Sequence, residues 1–134
     1  MKPRSHQVAK AAFARVDARR SVDSGSQDNR KAYGALAHKL PVLILQNGLA
    51  QATGFLLAKG KDEHLALLDD LAQILRETGE QNVADRDALH LTIIAADTVK
   101  TMHLTRRSLE ASGWIKRYVQ GVLKVDATGE EAEQ

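Results

Sequence analysis

The side chains of this sequence with the widest chemical repertoire are its five histidines, His6, His38, His64, His90 and His103. No two of them stand in the His-Glu-x-x-His spacing that sets two zinc ligands on one helical face. His64 lies among Asp62, Glu63, Asp69 and Asp70, but none of these is four residues on from it, and the pattern reads as a solvated acidic helix. Lys59-Gly60-Lys61 with Gly54 upstream approaches a phosphate-binding loop. Five residues rather than four separate the glycines, Asp62 replaces the Ser or Thr that would bind magnesium, and a helical pattern precedes it where a strand is required. Asp23 to Asn29 offers too few carboxylates in register for calcium. There is no Gly-x-Ser-x-Gly, no dinucleotide fingerprint and no paired catalytic carboxylate. With no cysteine, disulfides, thiolate metal sites and a cysteine nucleophile are excluded, and a reducing compartment is suited. No catalytic residue, metal ligand or cofactor is expected, and the chain does not read as an enzyme.

What is left is charge. The net +2 of the 134 residues hides blocks: residues 1–61 carry eleven Lys/Arg against three Asp/Glu, residues 62–97 two against nine, residues 98–124 six against one, and residues 125–134 are acidic. At 100° per residue Arg106 and Arg117 fall about 20° apart on one helical stripe, with Lys124 near it and Arg107 and Lys116 flanking. Glu110 is the one acid among them, and Arg15 and Arg19 stand one turn apart near the N-terminus. Ladders of Lys and Arg without exposed aromatics suit contact with phosphates rather than base reading.

These residues must be positioned by helices. Aromatics are only 4% of the chain, so the core is built from Leu, Ile, Val and Ala. The fold class expected is all-α, a compact single-domain bundle of about five to six helices over residues 1–124, with a loop at about 21–29 and an acidic, loose tail over 125–134. Ser5 caps a first helix with Val8, Ala12 and Val16 inward. From Asn29, Tyr33, Leu36, Ala37, Leu40, Leu43 and Ile44 share a face, Pro41 predicts a kink rather than a stop, and Asn47-Gly48 ends the helix. A third helix points Leu49, Ala52, Phe55 and Leu56 inward, so Leu43→Ala or Phe55→Ala should cost about 2–5 kcal/mol. Asp62 caps a fourth helix carrying Leu65, Leu68, Leu71, Ala72 and Leu75, Asp85 a shorter fifth, and Asp97 or Thr98 opens a last helix to about Lys124. Trp114 reads either as a core anchor beside Tyr118 or as an exposed interface anchor. The start of the chain has no apolar run behind it, so no signal peptide is expected. No eighteen-residue apolar window exists, so no membrane contact is expected.

Two blocks carry a resemblance. Tyr33-x-x-Leu36-x-x-Lys39-Leu40-Pro41-x-Leu43-Ile44-x-x-Asn47-Gly48-Leu49-x-Gln51-x-x-x-Phe55-Leu56, followed by Leu104-Thr105-Arg106-x-x-Leu109-x-x-x-x-Trp114-Ile115-Lys116-Arg117, resembles the small subunit of the type III-B CRISPR effector, the Cmr complex. The resemblance implies a non-catalytic, cytoplasmic subunit of an RNA-guided antiviral complex. Several copies would stack along a helical ribonucleoprotein beside the backbone and large subunits and help hold the guide and target RNA. Members of that family usually carry Thr-Arg-Glu-Ala-Leu where this chain reads Thr105-Arg106-Arg107-Ser108-Leu109, a base for an acid that strengthens the positive face. The RNA-facing residues expected are Arg15, Arg19, Lys39, Arg106, Arg107, Lys116 and Arg117, and Gln46 and Gln51 are expected at a contact between subunits.

Two other readings stay open at this level. A helical adaptor or oligomerisation protein without RNA contact would pair its basic patches with the acidic block of a neighbouring copy. A DNA-binding regulator would use Gln46, Ala50 and Gly54, which match helix-turn-helix spacing, although the apolar places that should follow are taken by Gly60 and Glu63.

Overall fold

The computed structural model describes residues 3–21 and 27–129. Among these are six α-helices and no strand: α1 (Arg4–Ser21), α2 (Gln27–Asn47), α3 (Leu49–Lys59), α4 (Asp62–Glu77), α5 (Arg86–Ala95) and α6 (Thr98–Tyr118), which runs on into a π-helical turn at Val119–Leu123. Helices α4 and α6 pack against each other and against both α1 and α2 as the core of the bundle, and α3 and α5 lie together against α4. The expected loop at 21–29 is shorter at its end, because α2 has begun by Gln27, and residues 22–26 lie outside the described residues.

Local sequence explains most of the boundaries. Gly48 takes φ 86° between α2 and α3, and Gly60 closes α3 in the left-handed conformation, its N–H donating to the Leu56 carbonyl at 3.1 Å. Asp85 and Asp97 cap α5 and α6, accepting from the backbone N–H of Ala88 and Lys100 at 2.8 Å each. Two expected caps are displaced, one by two residues and the other by one. Helix α1 already starts at Arg4, with the Pro3 carbonyl accepting from the N–H of His6, so Ser5 is inside it. Lys61 is the N-cap of α4, which leaves Asp62 in the first turn, where its charge still favours the helix dipole. Helix α2 continues through Pro41, and Gly54, the turn glycine of the helix-turn-helix reading, lies in the middle of α3.

Val8, Ala12, Val16, Tyr33, Ala37, Leu40 and Ile44 are buried as their spacing requires, as are Leu68, Leu71, Leu75, Leu104, Ala111 and Ile115. Phe55 is a correction. It is 40% exposed, with its ring edge-on to His64 at 6.0 Å and the Lys59 ammonium 5.8 Å from its centroid. Leu43 is half-buried at the margin of the core. The reason is geometric. Helix α3 buries only a narrow stripe, Leu49, Ala52, Thr53 and Leu56, and Phe55 stands one residue outside it. Helix α4 errs the other way. Surrounded by α1, α2, α3 and α6, it buries Leu67, Asp70 and Ile74 in addition to the expected Leu68, Leu71, Ala72 and Leu75, while the expected Leu65 is only half-buried.

Residues 125–129, which composition assigns to the acidic tail, pack back on α2. Val125 is fully buried, its γ carbon seated where Gly34 has no side chain, and its carbonyl accepts from His38 Nε2 at 2.9 Å. Residues 130–134 lie outside the described residues. Truncating the fully buried Leu56 to Ala should cost about 2–5 kcal/mol, whereas Phe55→Ala should cost less than about 1.5 kcal/mol. Urea melts with equal slopes for the two variants would measure the difference.

Candidate nucleic-acid interface

The chain's opposite charges meet inside one molecule. Asp70, on α4, has no exposed surface, although it carries a charge that would be expensive to bury alone. Arg15 Nε donates to its Oδ1 at 2.8 Å, Arg19 donates from Nη2 and Nε to Oδ1 and Oδ2 at 2.7 and 3.0 Å, and the Tyr33 hydroxyl donates to Oδ2 at 2.5 Å. Both cations come from α1, one turn apart, and Tyr33 from α2, so one carboxylate ties three helices together. Burial, then the Asp70 charge, pushes the Tyr33 phenol well above its ordinary value, so it stays a hydrogen-bond donor. Burial pulls the Arg19 guanidinium down, but the hydrogen bond and charge of Asp70 outweigh this and raise it.

A second tie is built by the end of α4. The Gly79 N–H donates to the Arg76 carbonyl and the Glu80 N–H to the Leu75 carbonyl, with Gly79 at φ 124°, which is the Schellman arrangement. This turn delivers Glu80 under α6, where Arg107 Nη1 donates to Oε2 at 3.0 Å and Lys100 Nζ to Oε1 at 2.7 Å, while His103 Nε2 lies 3.4 Å from Oε2. Arg107 Nη2 also donates to the carbonyl and hydroxyl of Thr78, and Arg4 Nη2 donates to the same carbonyl at 3.3 Å. Burial raises the Glu80 carboxyl, but the Lys100 hydrogen bond and the charges of Lys100, Arg107 and His103 hold it below the usual carboxylate value.

The predicted RNA-facing residues therefore divide. Arg107 is turned inward and buried, so the exchange of an acid for a base at this position adds nothing to the positive face; Glu80 absorbs it. Arg15 and Arg19 are partly exposed, but their guanidinium groups are committed to Asp70. Lys39, Arg106 and Arg117 are exposed and Lys116 is half-buried, and no ion pair is formed by any of these four among the described residues. Arg106 and Arg117 lie on the outer stripe of α6, with Lys116 on one flank and His103 on the other. The Arg117 guanidinium rests 5.5 Å over the ring of Trp114, which itself stacks on Tyr118 at 5.6 Å. Gln46 and Gln51 are both exposed, on either side of the α2–α3 turn. A cleft of about 420 Å³ between α1, α4 and α5 is lined by charges of both signs, including the Arg86–Asp69 pair at 2.8 Å, and offers no patch of one sign.

Spacing alone singles out neither Asp70 nor Glu80. For Asp70 a signal does exist: it stands three residues after Leu67 and four before Ile74, on a face that is otherwise apolar. For Glu80 there is none, because a turn rather than a helix places it. No group of three or more His, Cys, Asp or Glu able to hold a metal ion occurs among the described residues, and none of their helices is long and apolar enough to cross a membrane.

Among the described residues, fold and surface together define a small all-helical protein with exposed arginines on α6. The family model described as CRISPR-associated protein (Cas_Cmr5) matches residues 4–122. The CRISPR system Cmr subunit Cmr5 of Thermus thermophilus is 35% identical over 126 residues, covering 92% of this chain and 99% of the relative. The crystal structure of a CRISPR-associated Cmr5 family protein from the same organism superposes with a TM-score of 0.79 at 35% identity, over 92% of this chain and 99% of the other. This chain belongs to the Cmr5 family, the small subunit of the type III-B CRISPR complex.

Asp70→Ala should cost about 3–5 kcal/mol in urea melts, since it strips the partner from two cations and a buried phenol. The Glu80 carboxyl is depressed in the folded state, so its stabilisation is full above the ordinary carboxylate value and is lost as pH falls through the folded one. Melts at pH 7 and at pH 4 and below should therefore show a smaller loss for Glu80→Gln than for the native protein.

Proposed function

We propose that this Cmr subunit is a non-catalytic, cytoplasmic component that holds the guide–target RNA duplex through the outer face of α6, with several copies stacked along the complex in antiviral defence. The carrying observation is that Arg106 and Arg117 stand exposed on one stripe, without an ion pair among the described residues, while Arg15, Arg19 and Arg107 are consumed internally. Exposed Lys39 and half-buried Lys116 supply further charge. Base pairing already gives an RNA-guided complex its sequence specificity, so a subunit that grips the duplex needs phosphate contacts and no base reading. One copy has few such contacts, and useful affinity arises from repetition along one RNA.

The adaptor reading loses part of its support, because three of the nine acids in residues 62–97 are occupied at home: Asp70 by Arg15 and Arg19, Asp69 by Arg86, and Glu80 by Lys100 and Arg107. Contacts with the backbone and large subunits fall instead to apolar surface. Leu91 and Ile94 on α5 and Val99 and Met102 on α6 are each more than half exposed, as is Leu45 near Gln46.

In a Cmr complex reconstituted with Arg106→Glu/Arg117→Glu, RNA loading should fall, and the slope of log affinity against log salt should flatten by about one unit for each phosphate that is no longer held. Loading and slope equal to those of the native complex would overturn the α6 face.

A further inference from the structure

Five glycines of the described helices and turns have a reason within the fold. Gly48, Gly60, Gly79 and Gly129 take positive φ, and a Cβ added at Gly34 would lie 2.5 Å from Val125, whereas at Gly54 it would only touch the His90 ring at 3.5 Å. Gly113 has no such reason. It sits in the middle of α6 with ordinary helical backbone, it is exposed, and a Cβ built there would meet nothing within 4 Å. Glycine is the poorest helix former after proline, so the fold alone would be served better by almost any other residue. Gly121, in the π-helical turn, is equally open and extends the low surface beyond Arg117.

The position of Gly113 gives the space a use. On α6 it falls about 20° to one side of Arg106 and Arg117 about 20° to the other, with Gly113 about 10 Å along the axis from Arg106 and about 6 Å from Arg117. The two arginines thus stand on either side of Gly113 along the helix, where a side chain would meet nothing within 4 Å, with Glu110 one turn from Arg106 on the same face. The Arg117 guanidinium is held over the Trp114 ring, so part of its ordering is already met before a ligand arrives. Glu110, half-buried, is the one acid on this stretch, and its charge acts on the inward-facing Arg107.

We propose that Gly113 is a close-approach point at which one sugar-phosphate strand of RNA crosses α6, its phosphates held from either side by Arg106 and Arg117. A strand of regularly spaced anions complements two cations separated by an open glycine, and arginine meets phosphate with a fork of parallel hydrogen bonds. A packing protein helix would also value a glycine but would meet two uncompensated cations there. The inference rests on the RNA-binding reading of α6 and refines it.

The test uses Cmr complexes reconstituted with Gly113→Ala, Gly113→Leu or Arg106→Glu/Arg117→Glu, each loaded with guide RNA and titrated with complementary target RNA. Gly113→Ala and Gly113→Leu should raise the melting temperature of the isolated subunit, so a binding loss cannot come from unfolding. Gly113→Leu should weaken target binding about tenfold, with Gly113→Ala between it and the native protein. If Gly113→Leu binds as the native protein does while the arginine variant loses affinity, the close approach is wrong and the α6 face stands. If both bind normally, both fail. If Gly113→Leu lowers incorporation of the subunit but leaves RNA affinity intact, the glycine serves a protein neighbour and the proposal is overturned.

Discussion

A carboxylate without solvent sits at the centre of this bundle, and the arrangement of α1, α2 and α4 depends on it. Asp70 has given up its hydration entirely, and it is stable there only because Arg15, Arg19 and Tyr33 converge on its two oxygens. Such a group contributes less as net stability than as constraint. The attraction roughly offsets the desolvation, but any packing that separates the partners leaves a buried charge uncompensated. Helix α1 must therefore lie on α4 at one rotation, with Arg15 and Arg19 toward Asp70 and Val8, Ala12 and Val16 in the core. Greasy surfaces alone would leave that rotation loosely fixed, because leucine against leucine is tolerant of sliding.

The same logic is repeated at Glu80, and together the two hubs decide what the surface can do. Each draws arginines out of the basic blocks and neutralises part of the acidic one. A chain with three strongly charged segments thus folds into a molecule in which, among the described residues, Arg106 and Arg117 stay free on the outside of α6 while Arg15, Arg19 and Arg107 do not. That face belongs to α6, which at 21 residues is as long as α2, anchored underneath by Leu104, Ala111 and Ile115 and at its side by Arg107. Rigidity matters for a phosphate surface, since side chains already held in place lose less entropy on binding. Membership of the Cmr5 family places such a face within a Cmr complex, among other Cmr subunits.

The helices are legible in the residues themselves. Alternation of Leu, Ile, Val and Ala at three and four, Asn47-Gly48 at one turn, and Asp85 and Asp97 at two helix starts are local signals, read by local physics. They fail where burial depends on how many neighbours a helix has. Helix α4, enclosed on several sides, buries a fuller circumference than its amphipathic pattern announces, while α3, packed on a narrow stripe, leaves Phe55 at the surface.

Sequence by itself determined the all-helical class, the positions of most turns, the lack of thiol chemistry, and the resemblance that family membership confirms. Only the tertiary structure decided which cations are available. Arg106 and Arg107 are adjacent, equally charged and in the same helix, yet one faces water and the other lies on Glu80. The hundred degrees between them is fixed by the helix, but which of the two turns inward is set by α4 and the turn that follows it. A charge is assigned by its partner, and partners distant in sequence meet only when the chain has folded.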